Sequence, residues 1–68
     1  MKARFQIIDH KDGLVLDTEL TARNRFTALH ELLKVYGVQY DPAQFKERKG
    51  WVEFKDDHAT YRTSTRYS

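Results

Sequence analysis

Five short apolar segments follow one another along this chain, and their spacing changes twice. Ala3, Phe5 and Ile7 alternate with Arg4, Gln6 and Ile8, and Leu14, Leu16 and Leu20 alternate with Val15, Asp17 and Glu19. Period-two alternation sends successive side chains to opposite faces of a pleated strand, so both stretches read as half-buried strands. His10, Lys11, Asp12 and Gly13 between them form a turn, with Gly13 placed for a left-handed conformation. A three-residue loop would set Phe5 and Ile7 against Glu19 and Asp17. A four-residue loop instead pairs Ile7 with Leu16, Ile8 with Val15 and Arg4 with Glu19, which keeps apolar residues on one face and opposite charges across the other.

From Phe26 the period becomes helical. Apolar residues at 26, 29, 32, 33 and 36 form one stripe, Thr21 or Asn24 can cap its start, and Gly37 sits where a helix C-terminal glycine belongs. The spacing predicts a helix over residues 25–36, packed by Phe26, Leu29, Leu33 and Tyr36. Asp41-Pro42-Ala43-Gln44 then has a capping residue, Pro at the first helical position and Gln at the third. This predicts a single helical turn running to about Lys49, with Phe45 turned inward. Alternation returns with Val52 and Phe54 against Trp51, Glu53 and Lys55. A tight turn near Asp56 and Asp57 leads into Ala59 through Thr65. Pairing Phe54 with Ala59 and Val52 with Tyr61 sets Trp51 opposite Arg62 on the other face.

The order of elements predicts one α+β domain over residues 1–68, a ββαββ chain with a four-stranded antiparallel sheet. A right-handed crossover by the helix makes the third strand parallel to the second and seats it beside the first, giving spatial order 2-1-3-4. The helix covers one face and the other is left open. In that arrangement the two hairpin tips lie at opposite ends. The C-terminal run from Tyr61 to Ser68 is then an edge strand, free to pair with a second copy or a partner's strand.

Composition narrows the chemistry. At 68 residues only about 60% of the unfolded chain's surface can be buried, so the core must be small. There is no Cys, hence no disulfide framework, and His10, His30 and His58 are too few and too widely spaced for a structural zinc site. The basic start Met1-Lys2-Ala3-Arg4 is followed by no apolar run of signal-peptide length, and no segment approaches membrane-spanning length. A cytoplasmic location is expected. Twelve basic and ten acidic residues leave a formal charge of +2, which permits nucleic acid as a partner without requiring it.

Two clusters look like ligands or acid/base groups on paper: Asp9, His10 and Asp12, and Asp56, Asp57 and His58. Both fall at turns, where Asp side chains serve the backbone, and in the expected topology they cannot meet. His30 reads as a boundary histidine beside the sheet. Ser64 and Ser68 lack a Gly-rich elbow, and Gly13, Gly37 and Gly50 do not form a phosphate-cradling spacing. No enzyme, metal or cofactor is expected.

The open face is the place to look for a partner. Ile8, Lys11, Val15, Trp51 and Arg62 are the expected partner-binding patch, an apolar surface with a Trp and an Arg at one end of the sheet, rimmed by Lys46, Arg48 and Lys49. Trp51 over Arg62 is equally a stabilising cation and aromatic pair. The expected function is a non-enzymatic binding protein that modulates or inhibits a larger macromolecule, a protein before a nucleic acid, through the open face or an edge strand. Its size suits the accessory proteins that phages and mobile elements encode. The alternative is a nucleic-acid-binding domain using Trp51, Arg62, Lys46, Arg48, Lys49 and Arg66, against which Asp17, Glu19 and Glu53 on the same face would repel phosphates.

Overall fold

The computed structural model describes residues 2–65. Strands β1 (Lys2–Asp9) and β2 (Gly13–Thr21) lead into helix α1 (Arg25–Val35), a 3₁₀ turn (Pro42–Gln44), and strands β3 (Lys46–Arg48), β4 (Trp51–Lys55) and β5 (Ala59–Thr65). All five strands belong to one antiparallel sheet of order β2-β1-β5-β4-β3. The α+β class and the single α-helix agree with the sequence pattern. The strand count and order do not.

The strand expected beside β1 was 51–55, but β5 takes that place, with Ile7 opposite Tyr61 and Gln6 opposite Arg62. β5 therefore lies between two neighbours and is not the edge strand that the C-terminal run was expected to form. The reason is one of backbone pairing. β5 supplies seven partners for β1, from Ala3↔Thr65 to Asp9↔Ala59, whereas β4 has only five residues and would leave part of β1 unpaired. Arg66, named from the sequence as a nucleic-acid contact, lies outside the described residues, as do Tyr67 and Ser68.

The helical turn expected to reach Lys49 stops at Gln44. The Asp41 carboxylate accepts from Ala43 N at 3.0 Å, and Gln44 N and Phe45 N bond back to Asp41 O and Pro42 O. Phe45 is then extended, with its ring against Phe26, Tyr40 and Phe54. That apolar anchor pulls the chain out of helical geometry. Residues 46–48 pair with β4 as Lys46↔Glu53, Glu47↔Val52 and Arg48↔Trp51, and Gly50, at φ 96°, closes the tight turn between them.

Within the first hairpin, Ile7↔Leu16 and Arg4↔Glu19 pair as the sequence predicts. A bulge then intervenes and Ile8 pairs with Leu14, leaving Val15 as the extra residue. The second hairpin is shifted by two residues, to Phe54↔Tyr61, Val52↔Thr63 and Glu53↔Arg62. Asp56 causes the shift. Its Oδ1 accepts from His58 N at 2.7 Å and Ala59 N at 2.8 Å, so the turn centres on Asp57 and His58, one residue later than expected. A shift of two preserves the facing of every side chain.

Asn24 caps α1, its Oδ1 accepting from Thr27 N at 2.7 Å. The far end closes as a Schellman motif, with Val38 N on Leu33 O, Gly37 N on Lys34 O and Gly37 at φ 71°. Leu29 and Leu33 are fully buried against Phe5, Val52, Phe54, Ala59 and Tyr61. Phe26 and Tyr36, expected in the core, keep about half their surface in solvent; Tyr36 stacks on Phe5 and Phe26 abuts Phe45 at the margins. The buried Thr63 hydroxyl donates to the Arg25 carbonyl and ties the start of the helix to the sheet.

Candidate functional site

Alternation divides the sheet into a helix-covered face and an open one, and the register sets out the open face in rows. Arg48, Trp51, Ser64, Arg4 and Glu19 stand side by side across the five strands, and the next row is Lys46, Glu53, Arg62, Gln6 and Asp17. Lys55, Thr60 and Ile8 begin the third. Most groups in the first two rows are engaged with one another. Arg4 donates from Nε and Nη2 to Asp17 Oδ1 and Oδ2 at 2.5 and 2.9 Å, and this hydrogen-bonded carboxylate raises the pKa of the guanidinium. Arg62 Nε donates to Gln6 Oε1 at 2.9 Å and its guanidinium lies 5.7 Å from the Trp51 ring centroid. Trp51 Nε1 donates to Glu53 Oε1 at 2.8 Å, and Arg48 is 3.9 Å from the other Glu53 oxygen.

The expected partner patch is not assembled. Trp51 and Arg62 meet diagonally, because Trp51 faces Ser64 and Arg62 faces Glu53. Ile8 is four residues along β1 from Arg4, in Trp51's row, and two strands away from β4, a separation of about 16 Å from strand spacing and rise. Ile8, Lys11 and Val15 belong to the β1–β2 tip. Trp51, Arg48 and Lys49 belong to the opposite end, where β3 turns into β4. The change of strand order broke the patch: with β5 between them, β4 lies one strand farther out and runs parallel to β1, which puts Trp51 level with Arg4 instead of beside Ile8.

The same change brings the two polar tips together. His10 N donates to His58 O at 2.9 Å, and His10 Nε2 lies 3.0 Å from Thr60 Oγ1. The tips expected at opposite ends are therefore neighbours. Their carboxylates nonetheless serve turns: Asp9 Oδ2 accepts from Lys11 N and Asp12 N, as Asp56 does from His58 N and Ala59 N. Burial alone would raise the Asp56 pKa, but the two backbone N–H donors, the charge of His58 and the Tyr61 hydroxyl outweigh it and hold the carboxyl below its ordinary value. Tyr61 is pushed up by burial and by the Asp56 and Asp9 charges. Among the described residues no group of three or more His, Cys, Asp or Glu side chains could hold a metal ion, and no helix is long and apolar enough to cross a membrane. His30 sits on the flank of α1 with its ring edge to Tyr40, whose hydroxyl is 3.0 Å from His30 Nδ1.

Two surfaces remain, one at each edge of the sheet. Helix α1 packs on β5, β4 and β1. One flank, Phe26 and His30, meets Phe45 and Tyr40; on the opposite flank Tyr36, just past the helix, stacks on Phe5 of β1 and Leu32 packs at the edge of the core. Among the described residues β2 has no strand on its outer side, and the helix gives it little cover. Leu14 and Val15 are about 55% exposed, Leu16 and Leu20 are only half-buried, and Val35 is 76% exposed. The expected order 2-1-3-4 also put this strand at an edge, but only the C-terminal run was named from the sequence as free to pair. The second surface is a groove of about 350 Å³ on the open face, lined by Gln44, Lys46, Arg48, Glu53 and Lys55. Lys55 and Gln44 were not singled out from the sequence, although Gln44, Lys46 and Arg48 already alternate with Phe45 and Glu47. No protein-family model, curated protein or solved structure matches this chain.

Proposed function

We propose that this chain is a small non-enzymatic binding domain that docks a larger protein by adding a strand of that partner to the outer edge of β2. One observation carries the reading: nine residues, Gly13–Thr21, form an edge strand that extends beyond the reach of the helix. An unpaired edge offers a row of backbone donors and acceptors to an incoming strand, and alternate side-chain positions beside it give specificity. Here those positions are Leu16 and Leu20 on the helix side, at the margin of the core, and Asp17 and Glu19 on the open side. Accessory or inhibitory action on that partner, of the kind phage and mobile-element proteins exert, follows from occupying its strand.

Leu14→Lys with Val15→Lys is the test, because both side chains are exposed and charge on an edge blocks strand addition. A protein recovered with the wild-type chain from expressing cells should be lost from the double variant at unchanged melting temperature. Retention of the partner would overturn the reading. So would a concentration-dependent dimer of the wild-type chain that the same double variant abolishes, since a second copy would then occupy the edge.

A further inference from the structure

The groove at the other edge is built from different chemistry. Lys46 and Arg48 on β3 and Lys55 on β4 converge on it, and its one carboxylate, Glu53, is only 13% exposed and already held by the Trp51 indole N–H and by Arg48. Arg62, beside Glu53 in the same row on β5, adds a fourth cation. The other open-face carboxylates, Asp17 and Glu19, are on β2, three strands from β4 and four from β3. That distance is about 14 to 19 Å from strand spacing, beyond the screening length of about 8 Å at physiological salt. Asp17 is in addition bound by Arg4. Two of the three acids that looked like an obstacle to phosphate, Asp17 and Glu19, are thus set apart by the fold, and with Glu53 held by Trp51 and Arg48 the β3–β4 half of the open face is net cationic.

We propose that this groove binds the phosphate backbone of single-stranded nucleic acid. Lys46, Arg48 and Lys55 neutralise phosphates, and the Arg62 guanidinium stacked near Trp51 provides a flat cationic surface against which a base can lie. A single strand fits better than a duplex. The groove lies on the face of the sheet opposite α1, so among the described residues no helix stands on that face to enter a duplex groove. This surface is separate from the β2 edge, and its failure would leave the strand-addition reading intact.

The experiment titrates the whole chain into a short labelled oligothymidylate, an oligouridylate and a duplex of the same length, by fluorescence anisotropy. Trp51, the only Trp in the chain, gives a second readout through its intrinsic fluorescence. Binding to the single strands should weaken about twentyfold between about 50 and 200 mM salt, the slope for three phosphate contacts on a single strand. The triple variant Lys46→Gln, Arg48→Gln, Lys55→Gln should lose at least about tenfold in affinity. Removing the same charge elsewhere, with Lys11→Gln, Arg23→Gln and Lys34→Gln, should change it less than about twofold. Circular dichroism checks the fold of both triples, and Lys55→Gln alone, with a loss of about threefold expected, serves if the β3 substitutions disturb that strand. Absence of single-strand binding at low salt, preference for the duplex, or equal losses in the two triples would each overturn the proposal.

Discussion

β2 and β4 start from the same kind of sequence and end in different surroundings. Leu14, Leu16 and Leu20 alternate with polar or short residues as Val52 and Phe54 do. Yet Val52 and Phe54 are 1% and 4% exposed, whereas Leu16 and Leu20, on the same helix-covered face, are only partly buried. The difference is the width of the cover. An α-helix with its side chains is about 10 to 12 Å across, whereas five strands span about 19 Å. One 11-residue helix can roof about three strands, and the aromatic contacts of Phe26, His30, Tyr40 and Phe45 draw it toward the β4 side. Alternation reports that a strand has an apolar face. Whether that face is dry depends on what the rest of the chain can place over it.

The largest expected effect tests this contrast directly. Leu33→Ala and Phe54→Ala, both under the helix, should each cost about 2 to 5 kcal/mol of unfolding free energy in urea titrations. Leu16→Ala should cost less, about 1 to 2 kcal/mol, because Leu16 is only partly buried at the margin of the core. Equal losses at Leu16 and Leu33 would mean that β2 is covered in solution, and the comparison of the two halves would collapse.

The two tips offer a smaller contrast. Asp56 holds two backbone N–H groups and also contacts Tyr61, so Asp56→Ala should cost about 1 to 2 kcal/mol. Its folded pKa lies below the unfolded value, so the unfolded chain takes up a proton first as pH falls. The stability from this group is complete above about pH 4 and is lost as pH drops through the folded value. Melting temperature measured from neutral to strongly acidic pH should therefore fall less in Asp56→Asn than in wild type. An identical acid slope in both would contradict the assignment.

The smallest effect concerns the open face of the covered half. A double-mutant cycle of Trp51→Leu and Arg62→Met should give a coupling of about 0.5 to 1 kcal/mol in stability, the size of a partly exposed cation and aromatic pair. A coupling near zero would show that the diagonal contact adds nothing to the hairpin, and would free both side chains for a ligand.

Local chemistry made much of the fold legible. The Asn24 cap, the Gly37 terminus, the Asp41-Pro42 turn and the pairing of Ile7 with Leu16 each depend on residues close in sequence or on one turn, so short-range rules suffice. The site was less legible. Ile8, Val15, Trp51 and Arg62 were each placed on the right strands, but a patch needs strand order, and strand order is a competition among long-range pairings that no local pattern records.

By itself the sequence determined the α+β class, the helix and its caps, the two hairpins and which side chains share a face, because each follows from periodicities of 3.6 and 2 and from turn chemistry within a few residues. Only the tertiary structure decided that β5 lies at the centre, that residues 46–48 form a fifth strand at the far edge, and that the β2 edge extends beyond the reach of the helix. β5 satisfies the backbone of β1 over seven residues where β4 could have offered only five, and Phe45 is worth more inside the aromatic cluster than on a helical turn. Those two preferences separated the acidic edge at Asp17 and Glu19 from the cationic groove at Lys46, Arg48 and Lys55, and left Leu14 and Val15 on the unpaired strand.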